Sequence, residues 1–196
     1  MTKNIIKEIT GRHANLLILS NEKYVEDIYE VAKQLANRYE RICYVNLNKP
    51  YDVLIKDLTV KKIDVKKFYF IDTTTKALKQ DVKDIENVKY VSSPNALTEL
   101  SLCISDVYKK QNSDCILFDS LSTLLVYQQV SIVTRFAQSI ITKMASNTTR
   151  IFTVLEGDTE SVLVKNLGMF VDKVIYLGTS AKKGGVKRKS PPFKGH

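Results

Sequence analysis

Asp119 and Ser120 are the residues whose position indicates chemistry most directly, because they follow an apolar run from Cys115 to Phe118. A carboxylate at the end of a buried strand can hold Mg²⁺ beside the phosphates of a nucleotide. Such a site also needs glycines, since backbone amides can wrap a phosphate only where φ is positive and no Cβ intervenes. The chain has no glycine from Arg12 to Glu156. The sequence therefore predicts the acidic strand of a nucleotide site without its phosphate-binding loop.

Polar residues also follow several other predicted strands. In an open parallel sheet, ligands bind beyond the carboxyl ends of the strands, where these residues would lie. The candidate pocket residues are Ser20, Asn21, Asn48, Asp72 and Glu156, with Thr73 next to them. The same pattern arises wherever strands reach water and their last residues cap the following helix. A small-ligand pocket and a purely structural role both remain open.

Other catalytic and metal-binding patterns are weak. Ser120 has no histidine in a position typical of a hydrolytic triad, since His13 precedes the first predicted strand and His196 lies in the basic segment after the last one. The cysteines lie far apart within apolar segments, at Cys43, Cys103 and Cys115. This spacing favours buried, reduced thiols over a disulfide framework or a metal site. We therefore predict no catalytic residue, no metal site and no cofactor.

Short apolar runs alternate with helical patterns, which is typical of a parallel sheet covered by helices on both faces. The predicted strands are Asn15 to Ser20, Ile42 to Leu47, Phe68 to Asp72, Cys115 to Asp119, Arg150 to Leu155 and Lys173 to Leu177. The fold class is therefore α/β, a three-layer sandwich with a mostly parallel central sheet.

Four helices are predicted from apolar residues at spacings of three and four. Their stripes run from Val25 to Leu35, Leu97 to Tyr108, Ile132 to Met144 and Val162 to Met169. Side chains near Ser20 and Asn21 are expected to cap the first helix, and those at Ser93 to Asn95 the second. The charged segment from Thr73 to Asn87 is consistent with either an exposed helix or a loop.

The basic charge is concentrated at one end of the chain. The 196 residues carry a formal charge of +9, and six cations without any acid lie between residues 181 and 196, which leaves +3 for the rest. Those cations are Lys182, Lys183, Lys187, Arg188, Lys189 and Lys194. We expect a domain over residues 1–177 and a flexible basic tail over 178–196. The tail could bind nucleic acid through phosphate contacts, or it could be a solvated basic terminus.

Membrane association is not expected. No apolar run approaches the roughly 20 residues that span a bilayer, and the N-terminal segment lacks the long apolar region of a secretory signal. The sequence predicts a cytoplasmic protein.

The element order and three segments resemble the KaiC-like branch of the RecA superfamily, which has a P-loop NTPase fold, over residues 12–177. Residues 114–125 are similar to the Walker B strand of that family and the serine-rich turn after it. Residues 44–54 are similar to the strand and turn that carry a glutamate pair in active members, and residues 170–177 to the closing strand. The resemblance implies a RecA-like fold in which Asp119 and Ser120 are vestigial Walker B residues.

This sequence departs from the family pattern where the chemistry should be. Active members have a glycine-rich loop with Lys and Thr after the first strand, whereas here residues 19–24 read Leu-Ser-Asn-Glu-Lys-Tyr. The glutamate pair that would polarise the attacking water falls on Asn48 and Lys49, and neither can accept a proton in that role. Residues 48–51 and 90–100 are also similar to an archaeal group of KaiC-like proteins with a degenerate, glycine-free P-loop, a resemblance that implies no activity.

Three functions are compatible with these residues. The first is a non-catalytic pseudo-ATPase module, with no cofactor, that serves as an oligomeric or partner-binding scaffold. The second is a nucleic-acid-binding accessory protein that uses the basic tail. The third is a binder of a small ligand other than ATP at the strand-end pocket.

Overall fold

The computed structural model describes residues 5–9, 11, 13–79, 81–83, 85–144, 148–158 and 162–177. The predicted basic tail, residues 178–196, lies outside the described residues. A seven-stranded sheet with strand order β4-β3-β2-β5-β6-β1-β7 forms the centre of the molecule, and every neighbouring pair is parallel. Helices cover both faces of this sheet, so the predicted α/β sandwich is confirmed.

The described strands are β1 (Ala14–Leu19), β2 (Ile42–Asn46), β3 (Phe68–Asp72), β4 (Val88–Tyr90), β5 (Cys115–Asp119), β6 (Thr149–Leu155) and β7 (Lys173–Tyr176). The described helices are α1 (Ile5–Glu8), α2 (Tyr24–Ala36), α3 (Tyr51–Val60), α4 (Thr75–Leu78), α5 (Leu97–Gln111), α6 (Leu121–Leu124), α7 (Val130–Lys143) and α8 (Val162–Leu167). Two short 3₁₀ helices cover Val65–Lys67 and Glu156–Asp158.

Strand side chains alternate between two separate cores. In β5, Ile116 and Phe118 pack with α5, α7 and α8, whereas Cys115 and Leu117 pack with α1, α2 and α3. The alternation follows from the two-residue period of a strand, and all of these residues are apolar because both faces are covered. Asp119 continues this period and therefore lies on the face that α2 covers.

The predicted helix caps are wrong. The residue before α2 is Lys23 and the residue before α5 is Ala96, and neither makes a capping hydrogen bond with its side chain. At α5 the carboxylate of Glu99 reaches back instead and accepts from the Ser92 backbone N–H at 3.2 Å. This contact fixes the segment that leads into α5, but it does not cap the first amides of the helix.

Several short elements have no strong sequence signal. Strand β4 has only three residues, and α3 buries only Leu54 and Leu58, so neither shows a clear period. The segment from Thr73 to Asn87 contains a single helical turn, α4, and is otherwise irregular where it is described. Among the described residues, no helix is long and apolar enough to cross a membrane.

Candidate functional site

Asp119 ends the central strand β5, where it pairs in register with Asn46 of β2. Its backbone carbonyl accepts from the Leu47 N–H at 2.9 Å, and the peptide bond to Ser120 is cis. Only 2% of its surface is exposed, so the carboxylate is removed from water. A buried charge of this kind needs hydrogen-bond donors close to both oxygens.

Side chains of the chain itself donate to both oxygens of Asp119. The Tyr44 hydroxyl donates to Oδ2 at 2.6 Å, and the Asn48 amide donates to Oδ1 at 2.8 Å. The Tyr24 hydroxyl also donates to Oδ1, and Asn48 Nδ2 donates to the Tyr24 oxygen. We call Tyr24, Tyr44, Asn48 and Asp119 the Asp119 cluster. Both carboxylate oxygens therefore accept hydrogen bonds from side chains of the chain itself.

A second layer orients the Asn48 amide. Thr123, in α6, donates through its hydroxyl to Asn48 Oδ1, and Ser120 Oγ lies 3.4 Å from Thr123 Oγ1. The amide oxygen therefore faces Thr123 and the amide nitrogen faces Asp119. The turn that carries Asn48 is itself held by Asn46, whose Oδ1 accepts from the Asn48 N–H at 3.3 Å and whose Nδ2 donates to the Lys49 carbonyl.

Burial controls the protonation of the cluster. Burial raises the pKa of Asp119, although hydrogen bonds from Tyr24 and Tyr44 lower it in part. Burial and the neighbouring Asp119 charge raise the pKa of Tyr24 and that of Tyr44 well above the ordinary value for tyrosine. Both tyrosines therefore keep their protons near neutral pH and act as donors.

Lys49 lies in a separate polar group with Tyr29 and Asp57. The Lys49 ammonium donates to the Tyr29 hydroxyl at 2.7 Å and to Asp57 Oδ2 at 3.0 Å, and Tyr29 donates to the same oxygen at 2.5 Å. Burial lowers the pKa of Lys49, but the hydrogen bonds and charges of Tyr29 and Asp57 together outweigh burial and raise it. Lys49 is therefore a charged structural residue and no proton acceptor.

Asp72 holds two helix starts. Its Oδ2 accepts from the Tyr51 N–H at 2.6 Å at the start of α3, and its Oδ1 accepts from the N–H groups of Thr74 at 2.6 Å and Thr75 at 2.9 Å at α4. The carboxylate is fully buried, and the neighbouring Thr73 donates through its hydroxyl to the Asn46 carbonyl at 3.3 Å. Within these contacts Asp72 acts as a cap.

The junction between β1 and α2 lies one strand away from Asp119, because β6 separates β1 from β5. Ser20 is half-buried there, and its backbone N–H hydrogen-bonds to Asp27 of α2. Asn21 is exposed and approaches the end of β6, since a Cβ added to Gly157 would lie 3.0 Å from Asn21 Nδ2. Glu156 is half-buried at the same end of β6.

Among the predicted site residues, a hydrogen bond joins Asn48 and Asp119. Tyr24, Tyr44 and Thr123 were missed from the sequence. A usable signal was present for Tyr44, because a hydroxyl in the otherwise apolar strand β2 must find a partner. The described residues contain no group of three or more His, Cys, Asp or Glu side chains that could hold a metal ion. The cysteines are buried and free, and burial raises the pKa of Cys103 to about 11.

Comparisons with known proteins identify the fold. No protein-family model matches the sequence, and no curated protein matches it. A solved structure of a KaiC-like protein from the hyperthermophilic archaeon Pyrococcus horikoshii OT3 is similar, with a TM-score of 0.61 and 15% identity over 86% of this chain and 72% of that chain. The chain thus shares the fold of this KaiC-like protein, as the resemblance implied.

The raised pKa of Asp119 predicts the sign of a pH effect. The folded chain holds this proton at pH values where the unfolded chain has lost it, so stability falls as pH rises from about 3.9 through the folded pKa. Urea unfolding across this range should show that Asp119→Asn removes this decline.

Asp57→Asn is the matched control, because hydrogen bonds from Tyr29 and Lys49 lower the pKa of Asp57. Asp57 stabilises the fold above its unfolded pKa, and this contribution is lost as pH falls through the folded pKa, so its removal should change the slope in the opposite direction. Equal slopes for wild type and Asp119→Asn would contradict the assignment.

Proposed function

We propose that this KaiC-like chain is a non-catalytic, pseudo-ATPase module that acts as a scaffold for protein association. The carrying observation is the Asp119 cluster, in which both carboxylate oxygens accept from side chains of the chain itself. Mg²⁺ keeps several waters and is normally shared between a protein carboxylate and nucleotide phosphates. Here both oxygens of Asp119 already accept hydrogen bonds from other side chains. The phosphates of a nucleotide would also lack the glycine-rich loop that normally binds them.

The residues around Asp119 also support the absence of hydrolysis. Phosphoryl transfer to water needs a group that orients the nucleophile and a set of donors around the phosphates. At the positions of the glutamate pair, Asn48 donates to Asp119 and Lys49 is charged and bound to Asp57. Residues 19–24 contain no glycine that would let backbone amides converge on a phosphate. The chain thus lacks the residues that would orient the attacking water and the loop that would bind the phosphates. This combination favours a binding role over catalysis.

The scaffold role is supported by exposed apolar side chains just before the edge strand β7. Within the described residues β7 pairs with β1 alone, and edge strands are common sites of protein association. Between α8 and β7, 71% of Met169 and 37% of Phe170 are accessible. Together they favour contact with a second copy of this chain through the β7 edge.

Two alternatives remain as hypotheses. Nucleic-acid binding is favoured by the six cations and absence of acids in residues 181–196. A small ligand at the strand ends is favoured by the polar residues Ser20 and Asn21 at the end of β1, whereas Asn48 and Asp72 are engaged in the contacts described above.

Nucleotide binding should be absent. Isothermal titration of the full chain with ATP or GTP and Mg²⁺ is expected to give no binding in the micromolar range, because the carboxylate is occupied and the phosphate loop is missing. Tyr24→Ala, which removes one donor to Asp119, should not restore binding, since residues 19–23 are unchanged. Micromolar binding that Asp119→Ala abolishes would refute the pseudo-ATPase proposal.

Self-association should depend on the β7 edge. Sedimentation velocity is expected to show concentration-dependent oligomers of the full chain, and Met169→Glu with Phe170→Glu should shift them to monomers, since buried charges are costly at an interface. Val60→Glu is the control, because Val60 is 71% exposed at the end of α3. A wild-type chain that stays monomeric throughout, or equal effects of both variants, would argue against this interface.

Removal of residues 181–196 distinguishes the scaffold hypothesis from the nucleic-acid-binding hypothesis. If the tail binds nucleic acid, the full chain should bind single- and double-stranded DNA and RNA at low salt, and its affinity should fall steeply as salt increases. The truncated chain should then lose most of that binding while it keeps its oligomeric state. No binding by the full chain at low salt would eliminate this alternative.

A further inference from the structure

A cavity lies between the carboxyl-terminal turns of α5 and α7, on the face of the sheet opposite α2. Its volume is about 250 Å³, slightly below the range of roughly 300–1,000 Å³ typical of sites for drug-sized ligands. It is lined by Ser105, Tyr108, Lys109, Ile140, Lys143 and Met144. The volume suits a small molecule of a few carbon atoms.

The lining combines an apolar floor with a cationic rim. Ile140 and Met144 are buried and form the apolar part, whereas the side chains of Lys109 and Lys143 are exposed. Neither lysine forms a salt bridge within the described residues, although the neighbouring Lys110 pairs with Asp106 at 3.1 Å. None of the described residues that line the cavity is acidic. Among these residues, the two positive charges of the rim have no counter-charge.

A third cation lies at the same helix end. Arg150 is 6% exposed, and its Nη1 donates to the backbone carbonyls of Ile141 at 3.4 Å and Met144 at 3.3 Å. Its Nε is buried and has no hydrogen-bond partner, and no carboxylate of the described residues forms a salt bridge with it. Burial lowers the pKa of Arg150, although the charge of Asp172 raises it in part. Arg150 therefore adds a further buried cation near the ends of α5 and α7.

Helix dipoles account for part of this charge. Lys109 and Lys143 lie in the last turns of α5 and α7, where cations offset the partial negative charge of the helix ends. Lysines that only offset a helix dipole would not need a cavity with an apolar floor between them. The combination of the two lysines with an apolar floor is the feature that points to a ligand.

We propose that this cavity binds a small monocarboxylate with an aliphatic body, such as a short fatty acid. The aliphatic chain would pack on Ile140 and Met144, and the carboxylate would lie between the ammonium groups of Lys109 and Lys143. The Tyr108 hydroxyl, 3.3 Å from Thr148 Oγ1, borders the same space and can contribute a further hydrogen bond. This site is independent of the Asp119 cluster and of the scaffold role.

Hexanoate tests the proposal directly, with hexan-1-ol as a neutral probe of the same chain length. Methyl NMR of the full chain should show saturable shifts of Ile140 and Met144 during titration with hexanoate. Hexan-1-ol should bind about tenfold more weakly, because it cannot pair with the lysines. The double variant Lys109→Ala, Lys143→Ala should weaken hexanoate binding by a similar factor, and Lys110→Ala should leave it unchanged.

Three results would overturn the proposal. The first is no saturable shift of Ile140 or Met144 through the millimolar range. The second is equal binding of hexanoate and hexan-1-ol, which would mean that the charge on the rim contributes nothing. The third is a set of shifts spread over exposed methyls such as that of Met169, which would indicate non-specific adsorption.

Discussion

A carboxylate removed from water at the end of the central strand constrains this structure more than any other group. Transfer of an ionised carboxyl into a protein interior is unfavourable unless donors replace the lost water. At Asp119 those donors are two tyrosine hydroxyls and an amide, from Tyr24, Tyr44 and Asn48. They come from the start of α2, from β2 and from the turn after β2. One buried charge thus links three segments that are distant in sequence.

The same segments hold the neighbouring polar groups in place. The turn after β2 carries Asn48 toward Asp119 and Lys49 toward Tyr29 and Asp57, while Asp72 fastens the start of α3 beside it. Each of these polar side chains forms hydrogen bonds with backbone or side-chain groups that would otherwise be buried without a partner. The edge of the sheet that binds ligands in open α/β folds is here occupied largely by such internal contacts.

The sheet was predictable from sequence because its strands are buried on both faces and read as continuous apolar runs. Strands β3 and β5 agree with their predicted bounds, β2, β6 and β7 differ by one residue at one end, and β1 is shifted by one residue at both ends. Strand β4 and helix α3 were missed, since three residues and two buried leucines give no measurable period. The change from apolar residues to Asp119 also predicted correctly where β5 ends.

The cluster around Asp119 was not predictable, for a physical reason. Tyr24 lies at the start of α2, where the sequence shows only the apolar stripe of a helix that packs on the sheet. In addition, 95 positions separate Tyr24 from the carboxylate that it contacts. Only the three-dimensional arrangement shows that Asn48 is a donor to that carboxylate.

The hydrogen bond from Tyr24 to Asp119 also bears on how this chain can change over generations. Any substitution that vacates the space beside the carboxylate leaves a buried charge with one donor fewer, and that loss costs stability before a metal or phosphate site exists to offset it. A single substitution at position 24, 44, 48 or 119 is therefore expected to destabilise the fold, so a metal or phosphate site would have to arise here through several changes made together.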